Sequence, residues 1–263
     1  MNRLPKLSIV TPSFNQAVFI EEAIRSVQTQ EYPNFEHIII DNCSTDGTIE
    51  KIKKYPDVKW VSEPDEGQSD ALNKGFAMAS GEIIGWLNAD DIYLPGTFSK
   101  IVSLLEDDSV DAVYSNCYFV DKNLSIQKKL ITHVPVKWLS LFHCFIPSTT
   151  FFFKRSVVES NIFIDKKFHI AMDKEFFAHI LYENFKIVYA DDFFAKFRWH
   201  ETNKSNDTRE VQQIRYREGL TILNRYAGFR LPDNQLGVLL YKYISNSLLL
   251  YRKSLKLKHA ILK

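Results

Sequence analysis

Ile83-Ile84-Gly85-Trp86-Leu87-Asn88-Ala89-Asp90-Asp91 is the stretch that decides how this chain folds. Its apolar run is short and bounded by turn-forming residues, which reads as a buried strand. Two adjacent carboxylates where such a strand ends are costly to bury unless something positive binds them. In open α/β sheets, ligands sit beyond the carboxyl ends of the strands. A divalent cation carrying phosphate oxygens satisfies both constraints, because hard cations take oxygen ligands. A plainer alternative is that the pair caps the helix that follows.

Working outward, the same rhythm recurs upstream. Leu7-Ser8-Ile9-Val10-Thr11 reads as a first strand, and Phe19, Ile20, Ala23, Ile24 and Val27 follow at helical spacing. Residues 35–40 and 58–61 read as second and third strands, each followed by turn residues and a short helix. Short loops between alternating strands and helices predict a mostly parallel, Rossmann-like α/β sheet with helices on both faces. Downstream of Asp91 the pattern is mixed: a helix through Ile101 and Leu104, a strand at Ala112, a hairpin over 118–131, a strand over 148–153 and a helix from Asp173 to Leu181. No strand is convincing after Arg209, so the chain is expected to divide into a core, 1–208, and a helical extension, 209–263.

Composition narrows the function. A chain of 263 residues with 45% hydrophobic and 25% charged content has the makeup of an ordinary soluble globule. Its formal charge of +1 offers no polyanion-binding signature, so no nucleic acid partner is expected. Cys43, Cys117 and Cys144 form no C-x-x-C pair and read as free thiols of a reducing compartment. No run is long enough to span a bilayer and no signal-peptide core precedes the first strand, so a cytoplasmic location is expected. The dinucleotide, P-loop, nucleophile-elbow and zincin motifs are absent from the sequence. A parallel sheet without those glycine loops is left with acidic groups at its strand ends to hold a ligand.

Three segments in order, 7–15 (LSIVTPSFN), 40–48 (IDNCSTDGT) and Asn88-Ala89-Asp90-Asp91, resemble family 2 glycosyltransferases with the GT-A fold. Residues 63–75 (EPDEGQSDALNKG) extend the resemblance, in the style of bacterial surface-polysaccharide and O-antigen enzymes, over roughly residues 6–200. The resemblance implies inverting transfer of a sugar from a nucleotide donor, a UDP-sugar by this reading, to a hydroxyl of a glycan or lipid-linked acceptor. It places Thr11, Pro12 and Asn15 around the nucleotide, with Asp41 and Asn42 against the base. Asn42 stands where the family often has a second Asp, and an amide still offers a donor and an acceptor to an imide edge. Asp65 and Asp70 either touch the donor or sit in a solvated loop. Asn88, Asp90 and Asp91 match the family's metal-binding motif, with Asn88 replacing its leading Asp and removing one negative charge. The implied cofactor is Mn2+ or Mg2+.

The resemblance also assigns the base. Asp173, with Glu175 as second choice, would take the acceptor proton as general base. Asp173 is open to a helix-cap reading as well. Phe197-Arg198-Trp199-His200 resembles a late strand, in which Arg198 is implied as a diphosphate clamp and His200 as a metal ligand or phosphate donor. The basic, leucine-rich stretch from Leu248 onward is either a solvated face or a peripheral contact with anionic lipid at the inner face of the membrane. Two other readings stand beside transfer: a catalytically idle GT-A module binding nucleotide or a partner, and a sugar nucleotidyltransferase. The second is weakened by the lack of a glycine-rich phosphate loop after the first strand.

Overall fold

The computed structural model describes residues 4–261 except 202, 205 and 207, with backbone alone for 257–261. The basic tail is therefore described only in part, and the side chains of Leu257, Lys258 and His259 lie outside it. The first half follows the β–α alternation: β1 (Leu7–Ser13), α1 (Ile20–Gln28), β2 (Phe35–Asp41), α2 (Thr48–Ile52), β3 (Val58–Ser62), α3 (Gln68–Met78) and β4 (Ile83–Trp86). Then come β5 (Ile92–Tyr93), α4 (Thr97–Leu105), β6 (Ala112–Val120), β7 (Ile126–Leu130), β8 (Phe152–Lys154), α5 (Ser156–Glu159), α6 (Met172–Tyr182) and β9 (Ile187–Arg198). Three helices close the chain: α7 (Arg209–Tyr226), α8 (Gln235–Ser247) and α9 (Leu249–Ile261).

The strands form one sheet in the order β3-β2-β1-β4-β8-β6-β9-β5, with β7 paired to β6. Pairing is parallel across β3-β2-β1-β4 and between β6 and β9, and antiparallel where β8, β5 and β7 join. Successive side chains of a strand face opposite ways, and the apolar pattern uses both sides. Val10, Ile84, Trp86, Ala112, Tyr114, Phe151 and Phe153 join a core with α3 and α6. Leu7, Ile9, Ile83, Val113 and Phe152 join another with α1 and α4. Helix α3 lies so close to β1 that a Cβ on Gly75 would stand 2.2 Å from Val10 Cγ1, so only glycine fits there.

The second half departs from the sequence reading in detail. The strand expected from Ser148 begins only at Phe152, because Ser148–Thr150 is a 3-10 turn. The Thr150 hydroxyl there donates to the carbonyls of Pro147 and Ser115, and such local bonds compete with a ladder. Strand β9 is the longest of the described strands, at twelve residues, and was foreseen only at its end. Its register on β6 is broken: from Ser115–Ala190 to Cys117–Ala195, β9 takes five steps against two on β6. The expected boundary at 208/209 coincides with Thr208, whose hydroxyl caps α7 by accepting from the Val211 N–H. Leu220, Ile222 and Leu223 of α7 and Tyr241 of α8 belong to the same apolar core as α3 and α6.

Candidate active site

The carboxyl ends of β1, β2 and β4 open onto a cavity of about 490 Å³ that the N-terminus of α6 and the segment after β9 also line. That volume lies within the range of ligand pockets, about 300–1,000 Å³. The loops beneath it are fastened by local hydrogen bonds. Asp46 accepts from the N–H groups of Ala17 and Thr48, at 2.9 and 3.0 Å. The N–H groups of Asn15 and Gln16 donate to the hydroxyls of Ser44 and Thr48, at 2.7 and 2.8 Å, and Asn15 Oδ1 accepts from the Thr45 N–H. The turn residues between β2 and α2 thus satisfy the backbone between β1 and α1, so the two loops act as one platform.

On that platform Pro12 and Asn42 reach the cavity, while Thr11, Asn15 and Asp41 do not. Thr11 is fully buried, with its hydroxyl 2.9 Å from His37 Nε2. Asp41 was expected to meet the base; the structure corrects that placement. Its carboxylate is fully buried and accepts from the Ser44 N–H, the Ser44 hydroxyl and the Ser62 hydroxyl, at 2.9, 2.6 and 2.9 Å. The acidic group beside Asn42 at the cavity is Asp65, whose N–H donates to Asn42 Oδ1 at 3.0 Å. Burial raises the Asp65 carboxyl, against a 2.7 Å hydrogen bond from the Gly67 N–H. Asp70 also lies off the cavity, paired with Lys166 at 3.2 Å and Lys74 at 3.6 Å.

The adjacent aspartates part ways. Asp90 lines the cavity, and its Oδ2 lies 2.9 Å from His200 Nε2 and 3.2 Å from Asn203 Nδ2. Asp91, expected to bind the same metal, is 1% exposed and faces inward. Its Oδ1 accepts from the Arg198 N–H at 2.8 Å, and its Oδ2 from Asn88 and the Thr149 hydroxyl at 3.0 and 2.5 Å. Burial first, and then the Asp90 charge, push its carboxyl up to about 8. Asp91 is therefore a brace between β9 and the turn at Thr149 rather than a cavity group. Asn88 does line the cavity, accepting from Gln68 Nε2 and Trp86 Nε1.

Arg198 needs a similar correction. Its guanidinium, expected to clamp a diphosphate, is 1% exposed, donates to Glu22 and the Lys122 carbonyl, and lies 4.6 Å over the Phe19 ring. The basic side chains that line the cavity are Lys204, His169 and His200. Desolvation lowers the Lys204 ammonium, while Asp173 and Glu218 pull it back up. Only a weak signal pointed to Lys204: one lysine in a polar loop just past the late strand.

Helix α6 brings Asp173 to the cavity and turns Glu175 away from it. Asp173 Oδ1 accepts from the Lys174 N–H at 2.7 Å, and the Cys144 thiol lies 3.5 Å from its Oδ2. Burial raises the Asp173 carboxyl despite both contacts. Glu175, the second choice for the base, is 1% exposed and takes Arg225 and the Tyr226 hydroxyl, at 2.6 and 2.7 Å. The helix start is held from far along the chain. Glu218 of α7 accepts from the N–H groups of His169, Ile170 and Ala171, at 2.7, 3.0 and 2.6 Å. A carboxylate at a helix N-terminus satisfies orphan donors and complements the dipole. No sequence pattern near Asp173 announces this support.

The profile described as Glycosyl transferase family 2 matches residues 8–181, a span that holds both Asp90 and Asp173. The chain belongs to glycosyl transferase family 2. An uncharacterised glycosyltransferase of Nostoc is 28% identical over 84% of this chain and 74% of its own length. A Campylobacter jejuni GalNAc(5)-diNAcBac-PP-undecaprenol beta-1,3-glucosyltransferase is 31% identical over 48% of this chain, which spans 42% of that enzyme. Staphylococcus aureus TarS 1-349, solved with UDP-GlcNAc, matches the fold with a TM-score of 0.68 at 17% identity, over 87% of this chain and 68% of that 1-349 chain. The mannosyltransferase PcManGT from Pyrobaculum calidifontis, solved with GDP-Man and Mn2+, matches with a TM-score of 0.65 at 19% identity, over 93% of this chain and 70% of that one. The architecture is GT-A with a helical C-terminal extension, and the activity class is that of a glycosyltransferase.

Proposed function

We propose that this family 2 glycosyltransferase moves a sugar from a UDP-sugar to a hydroxyl of a glycan or lipid-linked acceptor in bacterial surface-polysaccharide synthesis, with inversion at the anomeric carbon. The observation that carries this reading is that Asp173 opens into the same cavity as Asp90, His200 and Asn42. Asp65 and Asn42 would bind the uracil edge, supplying an acceptor and an amide with both functions. The UDP-GlcNAc bound to TarS supports the donor class. The undecaprenol-linked substrates in the names of the Campylobacter enzyme and an Escherichia coli glucosyltransferase support the acceptor class.

The residues present fit a divalent cation of the magnesium type, which takes one or two protein ligands and completes its shell with phosphate oxygens and water. Asp90 and His200 would hold it; among the described residues no group of three or more His, Cys, Asp or Glu gathers as a self-sufficient cage. Bound there, the ion would act as a Lewis acid toward the departing diphosphate. Lys204 would add a mobile positive charge on the same side. Asp173 would accept the acceptor's hydroxyl proton, and its raised carboxyl makes it a stronger base than an ordinary aspartate once ionised. One displacement suffices for inversion, so no covalent nucleophile is required.

Calorimetric binding of UDP and GDP with and without manganese tests this reading. Manganese-dependent UDP binding that Asp90→Ala abolishes is expected. Preference for GDP would move the donor, and binding of neither would overturn the assignment of the cavity.

A further inference from the structure

We propose that the solvent face of α8, continued by α9, is a docking surface for an anionic lipid bilayer. The inference needs no catalysis, since lipid binding is measurable without turnover. Helix α8 is apolar on opposite sides. Gly237, Tyr241 and Ser245, four residues apart, are buried, with the Tyr241 ring stacked on Phe142 at 5.6 Å. Facing solvent, Leu236, Leu239, Leu240 and Tyr243 recur at i, i+3, i+4 and i+7 and are 57%, 63%, 38% and 74% exposed. Such spacing places all four on one stripe. An apolar stripe on a helix is ordinarily turned toward a covered environment, yet among the described residues this one is left open. Helix α9 adds Leu250, and the Tyr251 ring packs tilted against Trp138 at 5.4 Å with both rings half exposed. Aromatic rings with a polar edge favour the water–lipid boundary.

Charge identifies the occupant. From Asn234 to Lys263 the sequence has no Asp or Glu, against Lys242, Arg252, Lys253, Lys256, Lys258 and Lys263. The whole chain carries only +1, so this end is a strong local excess. Lys242 lies next to Tyr243 of the stripe and is itself exposed. On α9, burial first, and then the charges of Arg252 and Lys128, push Lys256 down to about 8. An apolar stripe among unbalanced cations is complementary to lipid tails below anionic headgroups. A second copy of this chain would bring the same excess of positive charge and repel it.

The patch is also tied to the site. Tyr241, on the buried side of α8, accepts a 2.5 Å hydrogen bond from Lys174, the neighbour of Asp173. A helix seated on the bilayer would thus be one hydrogen bond from the helix that carries the proposed base.

Sedimentation of the whole chain with vesicles tests the proposal, comparing phosphatidylcholine alone with an equal mixture of phosphatidylcholine and phosphatidylglycerol. Binding to the mixed vesicles at low salt is expected, falling about fivefold for each of Lys242→Gln and Lys253→Gln. The double variant Leu239→Glu/Tyr243→Glu is expected to stay in solution with UDP binding intact, which separates lost docking from lost fold and from failure of the donor reading. Failure of the parent to sediment with mixed vesicles overturns the proposal, as does unaltered sedimentation of the double variant. A dimer in light scattering that the double variant dissolves, without vesicle binding, assigns the stripe to a second copy and overturns it too.

Discussion

The two walls of the cavity are built differently. On the side of β1 and β2, the loops are fastened mainly by residues close in sequence or on the adjoining loop: Asp41 on Ser44, Asp46 on Thr48 and Ala17, Asn15 on Thr45. On the side of α6, the start of the helix hangs on Glu218, more than forty residues away on α7. Turn chemistry alone can pre-form the first wall, whereas the second exists only after α7 has packed. The proposed nucleotide side is therefore expected to be robust to changes at the C-terminal end, and the proposed base side is not.

The sharpest break between the walls is chemical. Asp173→Asn is expected to keep UDP affinity and to cut transfer by about 10²- to 10⁴-fold, the usual worth of a general base. Single-turnover assay beside calorimetry checks it; retained transfer would remove Asp173 from the role. Because burial raises its carboxyl, the base is lost as pH falls through a value above the ordinary aspartate range, so the acid limb of kcat/KM should lie correspondingly high. Asp173→Glu should shift that limb.

Next in size is the remote support. Glu218→Gln removes the charge and one acceptor from three backbone N–H groups, so turnover should fall roughly 10- to 100-fold by misplacing the helix start, and stability by about 2 kcal/mol. UDP affinity should hold. An equal loss of UDP affinity would show that the two walls are not independent.

On the opposite wall, Asp41→Ala should act through stability, costing about 3 kcal/mol by leaving buried donors unpaired. Asn42→Ala should instead blunt discrimination between UDP and GDP with little change in melting. A melting curve and a nucleotide panel, run on both variants, separate framework from contact.

The smallest effect is an acid weakness under β2. His37 is buried, its Nδ1 has no partner, and burial lowers its imidazole to about 3. Below the unfolded value of about 6.5 the unfolded chain takes up a proton that the folded one refuses. Stability is thus lost as pH falls from there toward about 3, and is unaffected above it. The slope of the melting midpoint between pH ~6.5 and ~5 should flatten in His37→Gln; an unchanged slope would move the acid sensitivity elsewhere.

What could be read in advance follows the same division. Strands β1 to β4 and the platform loops were legible because their signals are local: short β-branched runs closed by Ser, Thr, Asp and Gly. Strand β9 was mostly missed because Asp191-Asp192 interrupts it like a turn, and β5 because it has two residues. Within the site, a strand end says that carboxylates are near the ligand, not which of two neighbours turns inward. Asp90 and Asn42 reach the cavity and Asp91 and Asp41 brace it, a difference made by Thr149, Ser62 and Arg198 from distant elements. Lys204 and His169 sit in loops whose course depends on packing, so no spacing pointed to them.

The irregular pairing of β9 with β6 has one more consequence. The three surplus residues on β9 are an odd number, so they reverse which of its side chains share a face. Upstream, even-numbered Val188 and Ala190 pack with the α4 side; downstream, odd-numbered Ala195 does. The excess is in effect a frame shift written in space rather than in codons. Removing one residue from 191–194 would advance everything beyond it by one place. Glu201 would then arrive opposite Asp90 in place of His200, setting one carboxylate against another where an imidazole now stands.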